Sequence, residues 1–156
     1  ALRLDRVEGG LGVPRSGRQA RVTPLATYAH SARLWARIQD PINLTTTETG
    51  VRVQWNATSS SVGSYTTSHE LNWLSASGWQ KTSESTTRGR TSSTKVWGNT
   101  KGTFKNSSFC PFGTTYANHS RTWLEGRPSG KSSWAYEMNK SGGCSDLLHY
   151  YYIYLP

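Results

Sequence analysis

The sequence contains few cysteine, methionine, phenylalanine and acidic residues, and it has no long apolar run. No stretch approaches the roughly 20 apolar residues that a membrane-spanning helix needs. No charged-then-apolar leader is present either. We therefore expect a chain without a membrane span, and we expect Ala1 to be the first residue of a mature protein or a boundary within a longer one. The 156 residues fit one domain with an appendage.

The cysteine content is limited to Cys110 and Cys144. Two cysteines in a basic chain rich in serine and threonine predict one disulfide, formed in an oxidising compartment, and hence a secreted, extracellular protein. The alternative is a pair of free buried thiols. The ligand spacings of zinc sites are absent, so we expect neither a metal nor a cofactor.

The charge is strongly basic, with 18 Lys and Arg against 9 Asp and Glu, a net charge of +9. Such a balance is compatible with nucleic-acid binding. The longest basic cluster, however, lies within "TTRGRT", residues 86–91. We therefore interpret the charge as a solubility device and do not expect a nucleic-acid partner.

The fold prediction rests on alternating patterns in an aromatic-rich chain. Seven Trp and eight Tyr stand against three Phe, so the core must include aromatic side chains with polar tips. "ARLWARIQD" and "GVRVQWNAT" place every second residue on one apolar face, namely Leu34, Ala36 and Ile38, then Val51, Val53, Trp55 and Ala57. Short strands between Gly, Ser and Asn turns predict an all-β fold, a small antiparallel β-sandwich or barrel, over residues 33–156.

Two segments of this domain carry further structural expectations. Residues 24–39, "PLATYAHSARLWARIQ", also show helical spacing, so a helix competes with a strand there. The closing segment "DLLHYYYIYLP" has aromatic and branched residues on both faces, which predicts a central strand that closes the sheet.

Residues 1–32 form a basic arm of different composition. Its five arginines outnumber Asp5 and Glu8, a net charge of +3, and its glycines and prolines interrupt any regular element. Such a segment cannot order itself, and a partner's groove or sheet edge is the simplest holder. The predicted partner-binding residues are Leu2, Arg3, Leu4, Arg6, Val7, Leu11, Val13 and Arg15. The alternative is an arm that packs across its own domain.

No motif in the sequence indicates catalysis. A nucleophile elbow is absent. General acid–base cleavage of RNA would need groups that titrate near neutrality and a cation for the phosphate, roles that His69, His119, Glu70 and Arg121 can supply by type. Their spacing does not select them, so we predict no catalytic residue and no enzymatic activity, and we keep a basic secreted ribonuclease as an alternative.

Exposed tryptophans would give the domain a second binding surface. Trp73, Trp79 and Trp97 are the candidates for that surface, and a carbohydrate-binding module that stacks sugars on tryptophan, with Trp123 and Trp134 added, is a further alternative. The competing interpretation places most of these rings in the core. Five N-x-S/T sequons mark possible glycosylation sites at Asn43, Asn56, Asn106, Asn118 and Asn139.

The arm "ALRLDRVEGGLGVPRSGRQARV", the Trp- and Tyr-rich β body and the pair Cys110 and Cys144 resemble the adaptor subunits of actinobacterial umbrella toxin particles. The resemblance covers the whole chain in architecture. It implies a short secreted β domain whose N-terminal segment docks on repeats of a large toxin-bearing stalk protein, while the domain holds a lectin subunit of trypsin fold. It thus implies a non-enzymatic adaptor of an extracellular toxin complex that serves interbacterial competition.

Overall fold

The computed structural model describes residues 2–5 as a backbone strand and residues 26–156 in full. Strands dominate these ranges, and they contain no α-helix. The strands are β1 (Leu2–Asp5), β2 (Thr27–Gln39), β3 (Thr45–Ala57), β4 (Val62–Trp73), β5 (Trp79–Ser92), β6 (Lys95–Asn106), β7 (Thr115–Gly126), β8 (Ser132–Gly142) and β9 (His149–Leu155). Two short 3-10 turns, Ser75–Ser77 and Ser145–Leu147, precede β5 and β9.

Two antiparallel sheets pack face to face, which confirms the predicted β-sandwich. The first sheet has the order β2–β3–β4, and the free edge of β2 is covered by two strands placed end to end. β9 pairs with Arg33–Gln39, and β1 pairs with Thr27–Ala29. The second sheet is the meander β5–β6–β7–β8. Every pairing is antiparallel, so loops alternate between the two ends of the sandwich.

The segment 24–39 forms a strand from Thr27 and not a helix. Leu34, Ala36 and Ile38 are fully buried, whereas the residues between them face the solvent side of the sheet. The period-2 burial of these side chains outweighs the helical spacing upstream, because a helix would turn part of this apolar set away from the core. The predicted boundary between residues 1–32 and 33–156 therefore falls inside β2.

The core contains two apolar clusters separated by a polar belt. One cluster gathers around Trp55 and Leu34, and the other around Trp79 and Phe104. Between them, His119 of β7 accepts and donates hydrogen bonds across the sandwich to threonines of β3. The buried members of the belt are Thr47, Thr49, Thr100, His119 and Thr122. Because each has a hydrogen-bond partner, the belt fixes how the two sheets register without leaving buried polar groups unsatisfied.

The predicted disulfide is present and joins Cys110 to Cys144. It links the loop between β6 and β7 to the loop between β8 and β9, at the end of the sandwich where β5 begins. No free cysteine occurs in the described residues. The structure therefore contradicts the alternative of two free thiols.

The prediction of a central strand at the C-terminal end is wrong. Within the described residues β9 has one neighbour, β2, and is an edge strand. Its inward side, with Tyr152 and Tyr154, closes the open side of the sandwich against Trp134 and Tyr136 of β8 at ring distances of 4.9 to 5.4 Å. Aromatic residues occur on both faces because tyrosine tolerates half-exposure, and not because strands cover both sides. No helix in the described ranges has the length and apolarity needed to cross a membrane.

Candidate functional site

The outer face of the first sheet presents a regular grid of charged and aromatic side chains. Strand pairing aligns Trp35 of β2 with Gly50 of β3 and Glu70 of β4. The next row on one side aligns Arg33, Arg52 and Ser68, and the next row on the other side aligns Arg37, Glu48 and Asn72. We call this surface the arginine–tryptophan face, formed by Arg33, Trp35, Arg37, Glu48, Gly50, Arg52, Ser68, Glu70 and Asn72.

Trp35 lies at the centre of the arginine–tryptophan face, and its indole ring extends across Gly50. A Cβ atom at Gly50 would stand 2.7 Å from Cδ1 and 2.9 Å from Nε1 of the indole, so the ring occupies the space that glycine leaves free. Its Nε1 donates a hydrogen bond to Oε2 of Glu70, 3.1 Å away. The Arg33 guanidinium lies 5.7 Å from the ring centre, within cation–π range. The ring is therefore held in place on three sides.

One row further along, a carboxylate is held between two strands. Nε of Arg37 donates to Oε2 of Glu48, and Nδ2 of Asn72 donates to Oε1 of the same carboxylate over 2.9 Å. Glu48 is buried, so this ion pair is satisfied by hydrogen bonds on both oxygens. The row is consequently ordered before any partner arrives.

Shallow depressions flank the tryptophan at both ends of the face. One, of about 290 Å³, lies beside Arg37, Glu48 and Asn72. The other, of about 230 Å³, lies between Gln54, Asn56 and Thr66. Both are open and smaller than the cavities that usually enclose a small ligand, so the face is suited to an extended partner and not to an engulfed molecule.

The ribonuclease set does not come together in the structure. His119 is fully buried, its Nε2 and Nδ1 each lie 2.9 Å from a threonine hydroxyl of β3, and burial lowers the pKa of its imidazole to about 3. It is neutral at physiological pH and has no access to a substrate. Arg121 lies 5.0 Å from the ring of Trp123, on the outer face of the second sheet.

His69 and Glu70 are neighbours in sequence but point to opposite sides of β4. Nδ1 of His69 bonds to Thr100 inside the sandwich, 2.8 Å away, whereas Glu70 belongs to the outer face. Burial lowers the pKa of His69, and the positive charge of Arg88 acts in the same direction. The alternation of a strand thus separates the two groups that acid–base chemistry would need together.

The predicted tryptophan surface is not one surface. Trp79 is 1% exposed and packs beside Phe109 in the core, which corrects its assignment to a binding surface. Trp73 is exposed near the start of β5, close to Lys81. Trp97 lies half-buried across Gly89 on the outer face of the second sheet. The three side chains are separated because Trp79 faces the core, Trp73 is the last residue of β4, and Trp97 lies on the outer face of the second sheet.

Trp123 and Trp134 occupy two further environments. Trp123 is half-buried beside Arg121, and Trp134 is part of the aromatic cluster that closes the sandwich between β8 and β9. Within the described residues, no group of three His, Cys, Asp or Glu side chains is placed to hold a metal ion.

The front of the arm pairs with the domain itself. Leu2 is registered with Ala29, Arg3 with Tyr28 and Asp5 with Thr27. For residues 2–5 this is the arrangement of an arm that lies along its own domain. The remaining predicted anchors, Arg6, Val7, Leu11, Val13 and Arg15, lie outside the described residues.

Sequence reasoning missed the arginine–tryptophan face, although a signal was present. Arg33, Trp35 and Arg37 occupy the solvent-facing positions of an alternating strand, and a tryptophan there is unusual because large aromatic residues normally take the buried phase. The contribution of Glu48, Gly50 and Glu70 depends on strand register, which no local pattern specifies.

Comparisons of the chain with protein-family profiles, with curated proteins and with solved structures found no match.

Proposed function

We propose that this chain is a non-enzymatic secreted adaptor that links protein subunits of an extracellular toxin complex. Its β domain binds one partner through the arginine–tryptophan face, and its N-terminal arm binds another. The observation that carries the proposal is the central, half-buried Trp35, held by Gly50, Glu70 and Arg33 on the outer face of the first sheet.

The composition of the face supports a protein partner. Tryptophan and arginine dominate the residues that contribute most to protein–protein binding, because they combine a large contact area with directed hydrogen bonds. On this face the Arg33 guanidinium lies within cation–π range of the indole, and Arg37 and Arg52 lie in the adjacent rows. The hydrogen bonds of Trp35 and Glu48 already fix their side chains, so little rotamer entropy is lost when a partner binds.

The arm is proposed for the second contact although its front lies along its own domain, because a segment that pairs with one sheet edge has the conformation to pair with another. Leu2–Asp5 adopts a strand and adds to the edge of β2 over Thr27–Ala29. A segment that adds to a sheet edge is the form in which extended peptides dock on partner sheets. The role of Leu2, Arg3 and Leu4 as partner anchors follows from this capacity and stays a prediction.

The test uses charge reversal with a matched control. Full-length protein and the variants Arg33→Glu, Arg52→Glu and Arg121→Glu are used to capture proteins from native culture fluid, followed by mass spectrometry. Arg121 is the control because it also lies beside a tryptophan, but on the outer face of the second sheet. We expect the first two variants to lose one captured protein that wild type and Arg121→Glu retain.

The same test can overturn the proposal. Equal capture by all four proteins, each with unchanged circular dichroism and Tm, would exclude the arginine–tryptophan face as a docking surface. Cleavage of RNA by the pure protein would instead support the ribonuclease alternative.

A carbohydrate-binding role is the second candidate, favoured by the same indole. A flat ring flanked by the carboxylate of Glu70 and the amide of Asn72 offers a stacking surface with nearby hydrogen-bonding groups, which saccharides require. A glycan array separates the two candidates. Glycan binding that Trp35→Ala abolishes and Trp123→Ala retains would identify the face as a sugar site.

A further inference from the structure

The exposed apolar side chains of the domain concentrate at one end of the sandwich. Four loops meet there, 40–44, 74–78, 107–114 and 143–148, because β2, β4, β6 and β8 all run toward it. The disulfide between Cys110 and Cys144 joins two of these loops, and Lys140 of β8 donates to the carbonyl of Leu148. We call this end the disulfide end.

The tips of three of these loops carry large apolar side chains in water. Phe112 is 88% exposed and Ile42 is 79% exposed. Leu44 and Leu147 are also exposed. A soluble domain rarely leaves such residues together at the ends of adjacent loops unless they meet a partner.

Among residues 26–156, the loops of the opposite end carry no such side chains. Its loops 58–61, 93–94 and 127–131 have the sequences "TSSS", "ST" and "RPSGK". Of the exposed large hydrophobic residues, Leu155 is the one nearest to that end, at 49% exposure on the last residue of β9. The apolar tips therefore reflect a difference between the two ends and not a general property of the loops.

Behind the apolar tips stands a layer of amphipathic aromatic side chains. Trp73, Tyr116, Tyr150 and Tyr151 are exposed at the strand ends next to the loops. Two lysines accompany them, since Nζ of Lys81 lies 5.4 Å from the ring of Trp73 and Nζ of Lys140 lies 5.5 Å from the ring of Tyr150. Lys81 also forms an ion pair with Glu84. Lys105 is also exposed, on the strand position paired with Tyr116.

This order of layers matches the profile of a bilayer surface. Lipid-facing residues are apolar at depth, Trp and Tyr sit at the headgroup level, and lysines extend toward the phosphates. The net charge of +9 adds attraction to an anionic surface. Apolar tips on separate loops can enter a fluid bilayer directly, whereas a second protein would have to supply a surface of complementary shape.

Side-chain hydrogen bonds to the backbone order two of these loops. Oδ1 of Asp40 accepts hydrogen bonds from the backbone N–H groups of Ile42 and Leu44, at 3.0 and 2.9 Å. Oδ1 of Asn106 accepts from the backbone N–H groups of Ser108 and Phe109, at 2.8 and 2.9 Å. These bonds hold the backbone of the loop that carries Ile42 and the first part of the loop that carries Phe112.

We propose that the disulfide end docks peripherally on an anionic lipid bilayer, with Ile42, Phe112 and Leu147 inserted into the headgroup boundary. The loops of this end also carry the acidic residues Asp40 and Asp146. The attraction to an anionic bilayer therefore comes from the net charge of the chain, and the insertion of the apolar side chains determines which end docks. The site uses none of the residues of the arginine–tryptophan face. Membrane docking thus adds a third contact to the proposed adaptor.

The experiment is co-sedimentation with vesicles of phosphatidylcholine and phosphatidylglycerol. Phe112→Ser and Ile42→Ser remove the tips, and Leu155→Ser removes an exposed apolar side chain away from them. We expect wild type and Leu155→Ser to bind equally, and each tip variant to bind about ten-fold more weakly or worse, as expected for one large apolar side chain. Because both side chains are exposed in the free protein, we expect the variants to fold as the wild type does. Circular dichroism checks this expectation.

Three outcomes would overturn the proposal: no binding of wild type to these vesicles, equal binding of all variants, or loss of a captured protein partner with unchanged vesicle binding. The last would assign the disulfide end to a protein interface. If the two sites are separate, Arg33→Glu and Arg52→Glu bind vesicles as well as Arg121→Glu, which lowers the net charge by the same amount. Failure of the adaptor proposal and failure of the membrane proposal are therefore distinguishable.

Discussion

Thr49 and His119 belong to opposite sheets, yet Oγ1 of the threonine and Nδ1 of the imidazole lie 2.9 Å apart in the centre of the sandwich. Thr47 holds the other ring nitrogen at the same distance. The contact requires a neutral imidazole, because burial makes the protonated ring costly. It ties the alignment of the two sheets to the protonation state of one residue.

Stability should therefore fall as the solution becomes acidic. Burial lowers the folded-state pKa of His119 to about 3, whereas the unfolded chain keeps its ordinary value of 6.5. Between these values the unfolded state binds a proton that the folded state refuses, so the equilibrium constant for unfolding rises by about ten-fold for each unit of pH lost. Urea unfolding at a series of pH values measures this slope.

The variant His119→Gln provides the comparison for that slope. It removes the titrating group and keeps a hydrogen-bonding side chain. We expect lower stability at neutral pH and a weaker dependence on acid than in wild type. His30 and His69, whose pKa values burial also lowers, supply the residual slope. An identical slope in the variant would show that His119 does not govern the acid response.

Replacement of Gly50 by alanine should displace the indole of Trp35. The added Cβ would lie 2.7 Å from Cδ1 of the ring, so the ring must move and its hydrogen bond to Glu70 is lost. Since the ring can move outward into solvent, the cost is at the low end of overpacking, about 1 kcal/mol. The indole N–H resonance of Trp35 and urea unfolding report both effects.

Gly63→Ala is the control for this substitution. Its added Cβ would meet the carbonyl oxygen of Asn56 at 3.5 Å, an ordinary contact. We expect its Trp35 resonance to match wild type. A Gly50→Ala protein with an unshifted resonance would contradict the placement of the ring.

Removal of the disulfide should destabilise the domain without changing its fold. The bridge joins residues 34 positions apart, and cross-links of such loops typically contribute about 2–4 kcal/mol by restricting the unfolded chain. The Cys110→Ser and Cys144→Ser double variant should unfold at a lower urea concentration with an unchanged far-ultraviolet spectrum. A midpoint equal to that of wild type would show that the bridge adds no stability.

The sequons should differ in their occupancy when the protein is secreted from a eukaryotic host. Asn43 is exposed in a turn, whereas Asn106 is 1% exposed and its amide donates to the carbonyl of Ser77. A glycan on Asn106 would prevent the loop from forming, because the same side chain also caps Ser108 and Phe109. Peptide mass spectrometry of the folded fraction should find glycan on Asn43 and none on Asn106.

Local alternation within the sequence was sufficient to predict the class of fold. The patterns around Leu34 and Val53 specify half-buried strands, because a strand turns alternate side chains to opposite faces. The cysteine pairing followed from having two cysteines and no competing partner. Strand β9 shows the limit of such patterns. Its sequence has aromatic residues on both faces, and this pattern does not distinguish an edge strand from a central one.

The sequence by itself determined the strands, the disulfide and the basic character of this protein, since each depends on local alternation, on residue type or on charge. Only the tertiary structure decided which side chains meet. Trp35 reaches Glu70 because β2, β3 and β4 pair in one register, and His119 leaves solvent because two sheets stack over it. The apolar tips converge because four alternate loops fall at the same end. Register and stacking are set by contacts between residues far apart in the chain, which no local pattern encodes.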